Sequence, residues 1–173
     1  GGGADDPHDL VERFVRTHRV HFATALQEID DGRKWSCWSW YIFPAAPWVV
    51  NGVERGSYTN RLYSLRNDAQ ARAFVQLPTT RGVNLRDNYV AMMKAVERSL
   101  RRGVSFRRLL GVLDDPKARS SIRLFERTAH ELGDDELQQA CERVMRMIRE
   151  RRERRAALAC VVRLAGRPPG RRA

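Results

Sequence analysis

The apolar positions of the chain recur with helical spacing over most of its length. Between Asp6 and Gly32 they return every three or four residues, which is typical of an amphipathic helix with one buried face. Asp6 and Pro7 fit a helix start, and Gly32 fits the position just after a helix end. We therefore predict a long first helix, whose apolar stripe consists of Leu10, Phe14, His18, Phe22, Leu26 and Ile29.

Further helical patterns lie between residues 60 and 148. Most of them follow a polar residue that can cap a helix, and Gly103 and Gly133 stand where two of them should end. Outside the aromatic segment described next, no stretch favours a strand. The sequence thus predicts an all-α single domain of about six helices, and the predicted helical segments after the first are 60–63, 68–76, 84–102, 105–113, 115–132 and 134–148.

The segment Trp35–Pro44, with the sequence WSCWSWYIFP, fits neither a helical nor a strand spacing cleanly. It holds three of the four tryptophans of the chain, and we call it the aromatic segment. Each such ring can bury roughly 150–250 Å², so the segment either anchors the core or lines a cleft for a ligand. Pro44 and Pro47 interrupt regular structure, which predicts a turn and a short extended piece, followed by a loop around the glycines at 52 and 56.

The positive charge of the chain is concentrated near its carboxyl end. The formal net charge is +11, but eleven arginines and two glutamates lie between Arg143 and Ala173, so the rest of the chain carries only +2. An interaction with a polyanion would therefore involve the tail and not the body. We divide the chain into a disordered start at 1–8, a helical domain at 9–148, and a basic Arg-rich helix extension with a disordered tail at 149–173.

Several classes of protein are disfavoured by what the chain does not contain. No apolar run approaches the ~20 residues of a membrane-spanning helix, and no basic-then-apolar leader is visible, so we expect a cytoplasmic protein without membrane contact. The three cysteines are odd in number and fit no zinc spacing, which favours reduced thiols. No P-loop, dinucleotide fingerprint or hydrolase motif occurs, and we expect neither a cofactor nor a metal.

Two groups of residues could together hold an anion. Cations lie beside the rings of the aromatic segment, and Asp115 and Pro116 start a helix whose first turns carry further cations and hydroxyls, where anions are favoured. We therefore expect a small anionic ligand, nucleotide-like or phosphorylated, to bind between the two groups. The alternatives are that the rings are core anchors and that the helix charges are solvated or paired with Asp114. The expected ligand-binding residues are Lys34, Trp38, Trp40, Lys117, Arg119 and Ser120, and no residue is assigned a catalytic role.

Other candidate groups point to simpler roles. His18 lies on the apolar stripe of the first helix with His21 three residues away, and we expect a hydrogen-bonded core histidine more than a base or a metal ligand. Cys37, flanked by tryptophans, is expected to be buried rather than nucleophilic. An alternative function is binding of nucleic acid or of an acidic protein through the Arg-rich tail, although arginine and glutamate alternate there at helical spacing, which is also typical of a solvated helix.

Four blocks of the chain resemble a known family. They are DLVERFV from Asp9, ALQEIDDGRKWSCWSWYIFP from Ala25, the stretch 57–78 with Tyr63, Ala71 and Phe74 in register, and DDPKARSSIRLF from Asp114. In this order they resemble a family of small proteins catalogued as domain of unknown function 1810, over Asp9 to about Leu132. The resemblance implies a mainly helical fold and no established activity.

Overall fold

The computed structural model describes residues 5–165, and in that range the chain forms eight α-helices and one two-stranded antiparallel sheet. The prediction of a mainly helical single domain is therefore confirmed. Of the residues predicted to be disordered, which are 1–8 and the end of the tail, 1–4 and 166–173 lie outside the described residues. The elements are a π-helical segment Val11–Val15 that runs into α1 (Arg16–Asp30), then α2 (Ser39–Ile42), β1 (Val49–Val50), β2 (Val53–Glu54), α3 (Tyr58–Leu62), α4 (Asp68–Gln76), α5 (Leu85–Arg101), α6 (Phe106–Leu110), α7 (Asp114–Leu132) and α8 (Asp135–Ala165).

The core lies where α5, α7 and α8 pack on one another. α8 contacts both α5 and α7, α1 covers α5, and α4 covers α7. A chain of aromatic contacts runs through this core. The Tyr89 ring stacks on Phe125 with centroids 4.1 Å apart, and Phe74 meets Phe125 edge to face at 5.1 Å. The rings thus join α4, α5 and α7 into one packed unit. Within the described residues, no helix is both long and apolar enough to cross a membrane.

Several helices begin at the polar residues expected to cap them. The side chains of Asn84 and Ser105 accept hydrogen bonds from the backbone N–H groups three residues later, which satisfies donors that have no partner inside the helix. Asp6 caps the start of the first helix from four and five residues earlier in the chain. Its carboxylate accepts hydrogen bonds from the backbone N–H groups of Leu10 and Val11 at 2.8 and 2.9 Å. At the carboxyl end of α7, Gly133 takes the left-handed conformation that ends a helix.

Two local predictions were wrong. The expected loop around residues 51–56 contains a hairpin, because Asn51 and Gly52 both adopt positive φ and form the tight turn that joins β1 to β2. The aromatic segment contains the helical turn α2 where we expected an extended piece. This turn places Trp38 and Ile42, four residues apart, on the same buried side of the chain.

A buried carboxylate holds the aromatic segment against the end of α1. Glu28 accepts hydrogen bonds from the backbone N–H and hydroxyl of Ser36 at 2.6 and 2.7 Å, from the indole Nε1 of Trp38 at 3.1 Å, and from the backbone N–H of Trp35. Burial alone would raise the pKa of Glu28, but the hydrogen bonds from Ser36, Trp35 and Trp38 outweigh it and lower the pKa. The carboxylate is therefore ionised at neutral pH, when its bonds are strongest.

Replacing this carboxylate should destabilise the protein. We expect Glu28→Ala to lower the free energy of unfolding by about 2–4 kcal/mol at pH 7, because the buried indole N–H and two backbone donors lose a charged acceptor. Chemical denaturation followed by circular dichroism measures the effect. Gln27→Ala, at the neighbouring exposed position, is the control and should cost less than about 1 kcal/mol.

The effect of Glu28→Ala should also depend on pH. Because the folded pKa of Glu28 lies below its ordinary value of 4.5, the carboxylate stabilises the fold above that value and stops doing so as the pH falls through the folded pKa. The stabilities of the variant and the wild type should therefore converge in acid. Equal stability at pH 7 would contradict this role for Glu28.

Candidate functional site

An open groove of about 840 Å³ lies between α7 and the chain that leads into β1. We call it the α7 groove. One wall is formed by residues 45–48, and the other by one face of α7, where lining positions recur three and four residues apart. Arg55, Asn60, Ser64 and Leu113 complete the lining. The α7 residues of the groove are Pro116, Lys117, Ser120, Arg123, Leu124 and Arg127.

The lining of the α7 groove is cationic. Arg55, Lys117, Arg123 and Arg127 contribute four positive side chains, and no lining residue is an aspartate or a glutamate. Arg127 lies 3.6 Å from Asp68, but both side chains are more than half exposed, so that pair is weak. Burial lowers the pKa of Lys117, while Asp114 opposes the shift. The uncompensated positive charge gives the groove an attraction for anions.

An exposed indole ring lies beside these cations. The Trp48 side chain is 66% exposed, and its position is set by the hairpin, because the Arg55 backbone N–H donates to the Trp48 carbonyl at 2.7 Å. Pro47 and Leu113 extend the apolar surface next to the ring. A flat apolar surface next to convergent cations matches a ligand that has both a ring and an anionic group.

Of the residues expected to bind the ligand, Lys117 and Ser120 line this groove, and the two tryptophans do not. Trp38 is only 1% exposed, its indole N–H is bonded to Glu28, and its ring packs against Phe43 at 6.0 Å. It has no face left for a ligand, so we correct that expectation: Trp38 is a core anchor. Trp40 is half-buried against the same core.

Lys34 and Arg119 are paired with carboxylates away from the groove lining. Lys34 Nζ lies 2.8 Å from Asp114 and 5.1 Å from the centre of the Trp38 ring. Arg119 forms an ion pair with Asp115, and its guanidinium lies over the Phe106 ring at 5.4 Å. The Lys34 pair does join the residue before the aromatic segment to the start of α7, but it neutralises the positive charge that we expected to bind a ligand.

Sequence reasoning missed Trp48, Arg123 and Arg127. The helical spacing offered a signal for the arginines, because they follow Ser120 by three and seven residues and so share its face of the helix. For Trp48 no comparable signal was available. Its exposure depends on a hairpin of two-residue strands, and strands this short carry no hydrophobic period.

A family model confirms the resemblance noted in the sequence. The model for a protein of unknown function, DUF1810, matches residues 7–155. The chain belongs to the DUF1810 family. No curated protein matches it in sequence. Among solved structures, the chain resembles the conserved hypothetical protein Rv1873 from Mycobacterium tuberculosis, with 22% identity and a TM-score of 0.64 over 79% of this chain and 84% of that one. This likeness supports the fold of the DUF1810 chain and carries no function.

His18 of this DUF1810 protein is a buried, hydrogen-bonded histidine, as we expected. Its ring nitrogens lie 2.9 Å from the Tyr41 carbonyl oxygen and 3.0 Å from the Asn88 side-chain nitrogen. The Asn88 amide can only donate to Nδ1, so the proton of the ring is on Nε2 and is donated to Tyr41. Burial lowers the pKa of His18 to about 4, against the opposing effect of the bond to Tyr41. The neutral ring thus connects α1, α2 and α5.

The buried His18 should make stability depend on pH. In the unfolded chain the ring binds a proton below about pH 6.5, whereas in the fold it does so only below about pH 4. The free energy of unfolding should therefore fall by on the order of 3 kcal/mol as the pH is lowered from the first value to the second. Urea denaturation across that range measures the slope. His18→Gln should remove this contribution, and the exposed His21→Gln should keep the wild-type slope. The same slope in wild type and His18→Gln would contradict the assignment.

Proposed function

We propose that the α7 groove binds a small anionic ligand that carries a ring, such as a nucleotide or another phosphorylated metabolite. The observation that carries the proposal is the set of four cationic side chains, without an acidic residue in the lining, beside the exposed Trp48 ring. The groove volume of about 840 Å³ falls within the range of small-molecule sites, which is roughly 300–1,000 Å³.

Lys117, Arg123 and Ser120 would hold the anionic group. Guanidinium and ammonium groups form charge-assisted hydrogen bonds to phosphate oxygens, and the Ser120 hydroxyl adds a neutral donor on the same face of α7. Lys117 also lies in the first turn of α7, where the helix dipole favours negative charge. The positive side chains and the helix start therefore act in the same direction on the ligand.

Trp48 would hold the ring of the ligand. Its indole can stack on a base or another flat ring, and Leu113 adds apolar surface to the lining of the same groove. The groove lining contains no histidine, cysteine or carboxylate that could act as a base or a nucleophile. We therefore propose binding and assign no catalytic step.

A thermal-shift screen of nucleotides and sugar phosphates at low salt tests the proposal. A ligand at a hundredfold excess over its Kd should raise the Tm of the wild type by roughly 5–10 °C. Calorimetric titration should then show at least ~tenfold weaker binding to Lys117→Ala and to Arg123→Ala. Trp48→Ala should weaken the binding of ligands with a ring more than it weakens the binding of inorganic phosphate.

Matched controls separate the groove from general charge effects. Lys94→Ala removes a lysine from α5, and Trp35→Ala removes a ring that is 71% exposed outside the groove, so both should bind the ligand like the wild type. Replacing Arg152, Arg154 and Arg155 together by glutamine tests the tail. If no compound stabilises the wild type, or if only the tail replacements abolish binding, the groove is not the site.

A further inference from the structure

The last helix extends well beyond the helices that it packs against. α8 has 31 residues and is therefore about 46 Å long, whereas α5 has 17. Arg151 marks the point of departure, because its guanidinium donates to the carbonyl oxygens of Gly103 and Val104 just after the end of α5. From residue 152 to residue 165 every side chain is exposed. We call these residues the α8 extension.

The apolar seam of α8 does not stop where the body ends. In the body, Leu137, Cys141, Val144 and Ile148 are buried at separations of four and three residues. The same spacing of three and four residues continues through Arg151 and Arg155, which interrupt the apolar character of the seam, to three apolar residues of the extension. This is the heptad spacing of helices that pack along one another. The apolar residues that continue the seam are Leu158, Val162 and Ala165.

Within the described part of the chain, nothing covers the outer half of this seam. Leu158 and Val162 are 65% and 63% exposed, and the neighbouring Val161 is 60% exposed. An apolar stripe of this kind is stabilised when a second helix or a groove removes it from water. The seam therefore indicates a binding surface for another molecule.

The charges around the seam indicate what that molecule is. Four arginines and one glutamate occupy residues 151–155, at the base of the extension. A second copy of the chain, in either orientation, would bring a helix of the same net positive charge against them and be repelled. A nucleic acid would neutralise the arginines but leave Leu158 and Val162 in water. An acidic amphipathic helix meets both requirements.

We propose that the α8 extension binds an acidic amphipathic helix of another protein, in a two-helix coiled coil. The apolar stripe of the partner covers Leu158 and Val162, and its flanking carboxylates pair with Arg152, Arg154 and Arg155. This interaction is independent of ligand binding in the α7 groove, because none of its residues lines that groove.

A synthetic peptide with leucines in heptad spacing and glutamates on both flanks is the probe. We expect it to bind the full chain with a 1:1 stoichiometry, measured by fluorescence anisotropy of the labelled peptide. The double variant Leu158→Gln, Val162→Gln should weaken binding at least ~tenfold, since two apolar contacts are lost. Leu164→Gln is the matched control: Leu164 is 66% exposed but lies off the seam, so this variant should bind like the wild type.

Several outcomes would overturn the proposal. A scrambled peptide of the same composition that binds the wild type as tightly as the heptad peptide would make the extension a general anion-binding surface. A single-stranded oligonucleotide or anionic vesicles that bind the wild type and the double variant equally well would lead to the same conclusion. A dimer in sedimentation that depends on Leu158 and Val162 would assign the seam to a second copy. A lower Tm of the double variant would place the seam in the folded body, whereas weaker peptide binding at an unchanged Tm supports the proposal.

Discussion

The buried carboxylate of Glu28 is the contact on which the arrangement of the rest depends. It binds the chain at residues 35, 36 and 38 and so sets the point at which the aromatic segment turns back towards the core. From there Trp38 and Phe43 are buried, and the chain reaches the surface after Ala45, whose carbonyl accepts from the Leu65 backbone N–H at 3.0 Å. The wall of the α7 groove begins at that residue. One side chain of α1 thus determines where a wall of the candidate site lies.

The positive charge of the groove results from where the acids at the start of α7 point. Asp114 forms an ion pair with Lys34, and Asp115 forms one with Arg119, so the two carboxylates of the first turn are paired with cations that do not line the groove. Among the described residues, Lys117 and Arg123 form no ion pair of this kind and remain on the groove face. Because Lys34 directly precedes the aromatic segment, the same ion pair that attaches this part of the chain to α7 also removes a negative charge from the neighbourhood of the site.

The helices could be predicted from the sequence, but the site only in part. Helix stripes and caps such as Asn84 are local signals, and they placed α1, α4, α5 and α7 well. The roles of the tryptophans depend on contacts between distant residues: Trp38 is buried because Glu28, ten residues earlier, accepts its indole N–H, and Trp48 is exposed because a hairpin presents it. By residue type alone, Trp38 and Trp48 cannot be told apart. The sequence therefore indicated that aromatic and cationic groups lie together, but we expected Trp38 beside the groove cations, and the structure has Trp48 there.

Hydrogen exchange at the indole N–H of Trp38 and the backbone N–H of Ser36, followed by NMR, tests the role of Glu28 most directly. If the carboxylate holds the aromatic segment to α1, both protons should exchange only when the core opens, with a free energy close to that of a core amide such as Phe125. Exchange of both protons at the rate of an open loop, while Phe125 stays protected, would show that the segment opens without the core and would contradict the account.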